Sequence, residues 1–325
     1  MDGDDEEDPV KAAFGDRMDL YDVADWDVRS RLDALAVGVY TGLRTSSRLF
    51  LVVFALSLFA AEITVVGVLV VQEPTIGVLG ALSVVPAVFL ALYFWWDDPT
   101  RREPLPTLVM TFVLAVVFAT LAAVVNTVMF GAVQEVSGVP GVTLLAPAVL
   151  FFLVVGPVEE TVKWLAVRLH AYRSADFDTV VDGVVYGAVA GLGFASIENL
   201  AYISQGYVVP EGVGVTTQLG GAFSTATSRA FVGPGHVIYS ALAGYYLGLA
   251  KFNPGRRGPI VVKGLLVAAF VHGLYNTFVN YLPLSGPTFV VFVVLYDGFW
   301  IAVLYRKVSR YRRLYRRART EGPSR

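Results

Sequence analysis

The 325-residue chain contains no cysteine, and only 16% of its residues are charged. Without cysteine there are no disulfides and no thiolate ligands, so any bound metal must be held by His, Asp, Glu or Asn side chains. A hydrophobic fraction of 55% and a mean hydropathy of +0.61 exclude an ordinary soluble globular protein. Those values are typical of a polytopic membrane protein.

Charge is unevenly distributed along the chain. The net charge of -2 conceals an acidic start, MDGDDEEDP, and a basic end, RKVSRYRRLYRRAR. Acidic residues occupy the place where a signal peptide has a basic leader, so no cleavable targeting segment is expected. We predict an acidic tail over 1–48, solvated and partly disordered in 1–27, with a surface helix over 28–46. A transmembrane bundle over 49–305 and a basic tail over 306–325 follow.

Apolar stretches separated by turn-rich loops predict an all-α bundle of about eight transmembrane spans, because about 20 helical residues cross the hydrocarbon core. These stretches lie at 49–72, 76–95, 107–130, 143–169, 181–203, 222–250, 261–281 and 287–305. The sixth contains Gly233-Pro234-Gly235, which predicts a kinked or partly re-entrant course.

Lys and Arg are absent from one alternating set of loops, roughly 73–75, 131–142, 204–221 and 282–286. The other loops and the C-terminal segment are rich in these residues. Because short basic loops stay on the cytoplasmic side, we predict a multi-pass protein of the cell membrane with both termini in the cytoplasm.

Two adjacent carboxyl groups, Glu159 and Glu160, lie in the otherwise apolar stretch LLAPAVLFFLVVGPVEETVKWLAV. Carboxyl groups in a lipid-embedded helix are costly, which makes them a functional-site hypothesis. Lys163 is four residues from Glu159 and shares its helical face, so we expect it to pair with Glu159 and leave Glu160 available as a base. The alternative is a structural pair near a helix end, with a snorkelling lysine.

Two of the three histidines, His236 and His272, also fall within predicted spans. Asn276 follows His272 by four residues on the same helical face, and the glycines beside His236 permit close backbone approach. We therefore expect both imidazoles to approach one point, although a single buried histidine is more often a hydrogen-bonded core residue.

Glu198 and Asn199 lie in a glycine-rich span, 181–203. Its glycines predict a close-packed helix interface that turns both polar residues inward. Glu198 lies deeper than the other candidates and reaches them only if its helix tilts or the span boundaries are a few residues off. Arg229 could bind a substrate carbonyl or a lipid headgroup, but interfacial snorkelling is the preferred interpretation. Four further residues receive no catalytic function: Glu62, Asp182 (an expected N-cap), Asp297 and His170.

In this order the motifs resemble the PrsW family of intramembrane proteases, distant relatives of the CAAX-prenyl endopeptidases. The similarity covers roughly 143–281. It consists of E-E-x-x-K ending at Lys163, DGxxYGxxxGxGFAxxEN ending at Glu198-Asn199, R-A-F…PGH with Arg229 and His236, and H-G-L-Y-N with His272 and Asn276.

The resemblance implies hydrolysis of a peptide bond within or beside the membrane, in single-span proteins such as anti-sigma factors. It assigns Glu159, Glu160 and His236 as catalytic, with Glu198 and His272 as further site residues. The substrate and the lipid bilayer are then the expected partners, and no nucleic acid is expected.

Our mechanistic hypothesis is that Glu160, or Glu159 if the helix is rotated, takes a proton from the attacking water. His236 and His272 would hold that water directly or through a metal, and Asn276 could donate to the oxyanion. The predicted ligands are Glu160, His236 and His272, and zinc is the predicted ion. A metal-free, glutamate-activated water would use the same residues.

Two other functions are compatible with polar residues at mid-membrane depth. A proton-coupled secondary transporter would have two halves with matching interrupted spans, whereas the chain has one interruption, at Gly233-Pro234. A non-catalytic scaffold of the same fold would tolerate loss of a motif residue, and none is missing.

Overall fold

The computed structural model describes residues 8–15, 17–43, 48–96, 102–136, 142–208 and 215–321. All regular elements within these ranges are helical. The helices are α1 (Pro9–Phe14), α2 (Arg31–Leu43), α3 (Arg48–Gln72), α4 (Pro74–Ser83), α5 (Val85–Trp96), α6 (Leu105–Val136), α7 (Val142–Leu150), α8 (Gly156–Leu169), α9 (Asp182–Tyr207), α10 (Val215–Lys251), α11 (Arg257–Tyr281) and α12 (Pro287–Glu321). The predicted all-α class is confirmed.

Within the described residues, six segments are long and apolar enough to cross a membrane. They are Pro74–Trp96, Leu105–Glu135, Leu144–Arg173, Asp182–Tyr207, Pro254–Tyr281 and Pro287–Thr320. Helices cover all eight predicted stretches, but the first and sixth do not meet this criterion. In α3 the apolar part is Leu56–Gln72, and α10 begins with the polar sequence VTTQLGGAFSTATSR.

The closest helix pair consists of α9 and α10, which run side by side through the centre of the bundle. Their backbones approach so closely that a Cβ atom on the α9 glycines would overlap α10 backbone carbonyls. Gly183 faces Gly244, Gly187 faces Ser240, and Gly191 faces His236. The predicted small-residue interface is therefore present, and it places His236 directly against α9.

A π-helical turn, Phe151–Val155, joins α7 to α8. Pro157 follows it, and proline in a helix both lacks an N–H donor and clashes with the carbonyl four residues earlier, which favours such a widened turn. Gly156 lies against the backbone carbonyl of Ala269 in α11. The widened turn thus precedes the glutamate pair and brings it close to α11.

By contrast, α10 continues without interruption through Pro234. The prediction of a partly re-entrant sixth span is therefore wrong. The long helix packs along α9 on both sides of this point, with Gly221 against Gly206 before it and Ser240 against Gly187 after it.

The N-terminal segment folds against the ends of α10, α11 and α12. Its apolar side chains Val10, Phe14, Leu20 and Trp26 are buried in the main core, and α2 packs on α11. The expectation of a solvated tail is therefore wrong for most of residues 8–15 and 20–26, because their apolar residues are spaced to cover this surface, whereas Arg17, Met18, Asp19 and Asp27 are exposed. Residues 1–7 and 16 lie outside the described residues.

The predicted basic tail continues a membrane helix. Helix α12 runs without a break from Pro287 to Glu321, so its last part extends well past residue 305. Leu304, Val308, Tyr311 and Leu314 are buried along one side of this extension. The opposite side carries the exposed arginines.

Candidate active site

The N-terminal half of α8 carries Glu159, Glu160 and Lys163, all three of which are almost completely buried. Lys163 Nζ lies 2.7 Å from Glu160 Oε1 and 3.7 Å from Glu159 Oε2. Lys163 is thus within ion-pair distance of Glu159, as predicted, but it contacts Glu160 more closely, so the prediction that Glu160 is left available is wrong. Residues three apart on a helix are neighbours just as residues four apart are, so spacing alone does not choose between the two carboxylates.

Contacts from other helices hold Glu160 in this pairing. Its Oε1 also lies 3.0 Å from His272 Nδ1, and the Ser240 hydroxyl donates to its Oε2 at 3.3 Å. With Lys163, three side chains from three helices surround this carboxylate. Glu160 therefore orients its neighbours and has little capacity left for another ligand.

Glu159 has the opposite environment. Asn126 Nδ2 of α6 donates to its Oε1 at 3.0 Å, whereas its buried Oε2 receives no hydrogen bond from any described residue. Oε2 faces His272 Nε2 at 3.7 Å and His236 Nδ1 at 4.0 Å. A buried acceptor without a donor is costly and points to a missing water, ion or substrate group. Glu159, rather than Glu160, presents this oxygen.

The carboxylate of Glu159 and the imidazoles of His236 and His272 form a group suited to a divalent ion. One ligand atom from each lies within 4.8 Å of the other two. Two imidazole nitrogens and one carboxylate oxygen, beside an open cavity, match the three protein ligands and free position of catalytic zinc sites. The residues fit an ion, with Glu159 in the place predicted for Glu160.

Each histidine is oriented by a second carboxylate. Glu160 contacts His272 Nδ1, and Glu198 Oε2 lies 2.9 Å from His236 Nε2. Such carboxylate–imidazole pairs select the tautomer of a metal-binding or catalytic histidine and hold its ring in place. Glu198 therefore reaches the site despite its greater predicted depth.

Arg229 belongs to this second group of contacts. It forms an ion pair with Glu198, its Nε donates to Asn199 Oδ1 at 2.8 Å, and its guanidinium lies 4.5 Å from the centre of the Tyr202 ring. The expectation of interfacial snorkelling is therefore wrong. The closely packed α9 and α10 backbones turn Arg229 towards the α9 carboxylate instead of the membrane surface.

Asn199 also ties this corner of the site to α4, because its Nδ2 donates to the Ser83 hydroxyl at 3.1 Å. Asn276 lines the cavity beside His272, and its role as an oxyanion donor stays a prediction.

Asp182 accepts hydrogen bonds from the backbone N–H groups of Asp178 at 2.7 Å and Thr179 at 2.9 Å. It therefore secures the preceding loop and does not act as the expected N-cap.

The site opens into a cavity of about 1130 Å³ between α6, α9, α10 and α11. Glu159, Glu198, His236 and His272 form part of its wall, whereas Glu160 does not. The cavity extends to Gln134, Gln205, Asn280 and Ser285, which lie at or near the helix ends joined by the loops without Lys or Arg. A polypeptide segment can be accommodated in a space of this size.

The sequence interpretation missed two residues that hold the carboxylates, and both left a signal. Asn126 is an isolated amide in the apolar stretch LAAVVNTVMF. Ser240 follows His236 by four residues and therefore shares its helical face. Glu62, which received no predicted function, also lines the cavity. Asp297 accepts a hydrogen bond from the Tyr239 hydroxyl at 3.4 Å and lies outside the cavity wall.

A family model described as PrsW family intramembrane metalloprotease matches residues 103–303. The chain belongs to the PrsW family. Among its relatives, Protease PrsW of Geobacillus kaustophilus is 32% identical over 195 residues, which are 60% of this chain and 76% of that protein. Protease PrsW of Bacillus subtilis is 30% identical over 197 residues, 60% and 79% of the two chains.

Protease PrsW of Oceanobacillus iheyensis is 28% identical over 226 residues, which cover 69% of this chain and 92% of that protein. No solved structure matches the chain. The PrsW-family match includes every candidate site residue, and this chain is accordingly a membrane-embedded protease. The segment with α1 and α2 lies outside the matched region.

Proposed function

We propose that this chain is an endopeptidase that hydrolyses a peptide bond in or near the membrane-spanning part of a membrane protein, at Glu159, His236 and His272. One observation carries the proposal. A buried carboxylate oxygen without a hydrogen-bond donor faces two imidazoles in the wall of a large cavity.

In this proposal Glu159 Oε2 accepts a proton from the attacking water and transfers it to the amine of the leaving strand. Glu160 orients His272, and Glu198, held by Arg229, orients His236. Asn276 donates to the carbonyl oxygen as negative charge develops on it. Glu160 thereby exchanges the predicted role of base for that of an orienting group, since three side chains already surround it.

As the alternative to a proton-accepting Glu159, we propose that Glu159, His236 and His272 hold a divalent ion, zinc. Glu159 would then be a ligand, and the ion would lower the pKa of a bound water. The two histidine–carboxylate pairs support this version. One contact supports metal-free activation instead: Lys163 Nζ lies 2.9 Å from His236 Nδ1 and occupies the nitrogen that would bind the ion. A loaded site requires Lys163 to withdraw from that nitrogen.

We also propose a cell-membrane location with both termini in the cytoplasm and about eight spans, α3 and α10 included. In that orientation the cavity extends towards the outer face, because Gln134, Gln205 and Asn280 lie near the loops without Lys or Arg. The proposed substrate is a single-span protein, such as an anti-sigma factor, cut near its outer end. The relatives named as proteases favour this function over a transporter or a scaffold.

The function is tested by co-expressing the chain with a library of tagged single-span membrane proteins. Fragments should appear with the wild type and disappear with Glu159→Gln and His236→Ala. Asp297→Asn is the matched control, because Asp297 is a buried intramembrane carboxylate outside the cavity wall, and it should preserve cleavage. Identical fragments from all four proteins would contradict the proposal.

Metal dependence is tested on the purified protein by elemental analysis. Zinc near one equivalent in the wild type and a clear loss in His272→Ala are expected, together with loss of cleavage after chelation and recovery on adding zinc. Protein that cleaves while holding negligible zinc, both before and after chelation, would contradict the zinc site and support the metal-free mechanism.

A further inference from the structure

Glu62 is a carboxylate in the cavity wall that the proposed mechanism does not use. It lies on α3, in the middle of an apolar helix, and lines the same cavity as Glu159 and His236. Beside it are Ala119 and Ala123 of α6, whose small side chains leave this part of the cavity open. The carboxylate is therefore within reach of a ligand in the cavity.

Charge pairing distinguishes Glu62 from the other carboxylates of the cavity wall. Glu198 pairs with Arg229, and Glu159 lies 3.7 Å from Lys163. Glu62 accepts a hydrogen bond from the Thr120 hydroxyl, and no Lys, Arg or His of the described residues lies within ion-pair distance of it. Arg229 also lines the cavity, but it already pairs with Glu198 and donates to Asn199.

The hydrogen-bonded partners of the two carboxylates fix their separation along α6. Thr120 contacts Glu62, and Asn126 contacts Glu159. Six residues of helix correspond to about 9 Å along the axis. An extended peptide advances about 3.3 Å per residue, so this distance corresponds to about three residues of bound substrate.

We propose that Glu62 binds a Lys or Arg side chain of the substrate about three positions from the cleaved bond and so determines specificity. A carboxylate in a cavity wall that lacks a cationic partner from the described residues gains from a cation that a ligand supplies. The Lys or Arg of the substrate would lie nearer the N-terminal end of α6 than the cleaved bond does, because Thr120 precedes Asn126 in that helix. This inference rests on the proposed endopeptidase function, which it extends by naming a substrate feature.

The first test uses a single-span reporter that the wild type cleaves, with Lys, Gln or Glu placed in turn at each position two to four residues from the cut. The wild type should cleave the best Lys reporter about tenfold or more faster than its Gln counterpart, as expected for a hydrogen bond between charged groups. Glu62→Gln should remove this preference, and Glu62→Lys should shift it to the Glu reporter.

Glu73→Gln is the matched control. Glu73 directly follows α3, the helix that carries Glu62. It accepts a hydrogen bond from the Thr75 hydroxyl at 2.8 Å, but it does not line the cavity. It should preserve the preference for Lys. Equal cleavage of Lys and Gln reporters by the wild type, at every position, would overturn the inference while leaving the endopeptidase function intact.

A binding measurement tests the inference without cleavage. Synthetic spanning peptides with one central Lys or one norleucine are titrated onto purified Glu159→Gln protein in lipid nanodiscs. The Lys peptide should bind about tenfold more tightly, and the difference should vanish in the Glu159→Gln, Glu62→Gln double variant. Equal affinity for both peptides would contradict the cation site, whether or not a cleaved reporter is found. Failure to find any cleaved reporter would count separately, against the proposed endopeptidase function.

Discussion

Two buried polar clusters in this protein differ in how completely their charged groups are paired. Beneath the N-terminal segment, the Asp33 carboxylate accepts from the Tyr21 hydroxyl and the Ser30 N–H, both at 2.7 Å, and lies 2.9 Å from Lys263 Nζ. In the membrane site around Glu159, the Lys163 ammonium lies 3.7 Å from Glu159 Oε2, beyond hydrogen-bond distance. The first arrangement stabilises the fold, whereas the second leaves an acceptor for a reacting group.

The N-terminal cluster also differs in its titration. Burial alone would raise the pKa of Asp33, but Lys263, Tyr21 and Ser30 together hold that pKa well below its usual range. The carboxylate therefore stays charged throughout the physiological range, as a structural ion pair requires. Asp22 extends the cluster by pairing with Lys263 and Lys307.

The largest expected effect separates the two glutamates of the membrane site. Glu159→Gln should lower the cleavage rate about 10²- to 10⁴-fold, because the proton acceptor is lost, and should change the unfolding free energy little. Glu160→Gln should destabilise the protein, because Lys163 and His272 lose their main partner. Reporter cleavage and denaturant unfolding in detergent measure the two effects. Full activity of Glu159→Gln would contradict the assignment.

The reverse pattern is expected in the N-terminal cluster. Asp33→Ala should lower the unfolding free energy by up to about 3–5 kcal/mol, because Lys263 loses its nearest carboxylate and keeps only Asp22 at 3.5 Å and the Tyr21 hydroxyl at 3.0 Å. Cleavage per folded molecule should stay unchanged. Asp27→Ala, at an exposed position of the same segment, is the control and should be nearly neutral. A loss of cleavage without a loss of stability would show that the N-terminal cluster serves the site.

A pH dependence of stability should come from Asp8 in the N-terminal segment. Burial raises the pKa of Asp8 from 3.8 to about 6, despite hydrogen bonds from Tyr311 and the Val10 N–H. Its folded form thus favours the proton, so this contribution is full below pH 3.8 and is lost as the pH rises through about 6. The expected change is on the order of 2–3 kcal/mol.

Limited proteolysis of the N-terminal segment between pH 4 and 7.5 measures this change. Cleavage should increase with pH in the wild type and vary much less in Asp8→Asn, whose side chain does not titrate. An identical pH profile for both proteins would assign the dependence to another group.

The smallest expected effect tests how the packing of α9 against α10 positions His236. Gly191→Ala should cost about 1–3 kcal/mol and also reduce cleavage, because the new Cβ would overlap the His236 carbonyl and displace that histidine. Gly298→Ala is the control, since no atom lies within 4 Å of its added Cβ. Equal stability and activity of the two variants would mean that α9 and α10 separate without disturbing the site.

Much of the fold was predictable because the membrane imposes simple rules on sequence. Apolar stretches such as 107–130 and 181–203 must be helical in lipid, where backbone groups find no water. The glycines of α9 predicted a close-packed helix interface, and the structure shows that its partner is α10. The acidic composition of the N-terminal segment misled the interpretation, because Val10, Phe14 and Trp26 are too few to dominate a composition yet sufficient to cover a surface.

By itself, the sequence determined that the chain is helical and membrane-embedded and that Glu159, Glu160, His236 and His272 are its candidate reactive groups. Only the tertiary structure decided which glutamate has a carboxylate oxygen without a hydrogen-bond donor among the described residues. Helical spacing places Lys163 near both carboxylates, and the choice between them depends on Asn126, Ser240 and His272, which arrive from other helices. Contacts between distant parts of a chain leave no periodic pattern in its sequence.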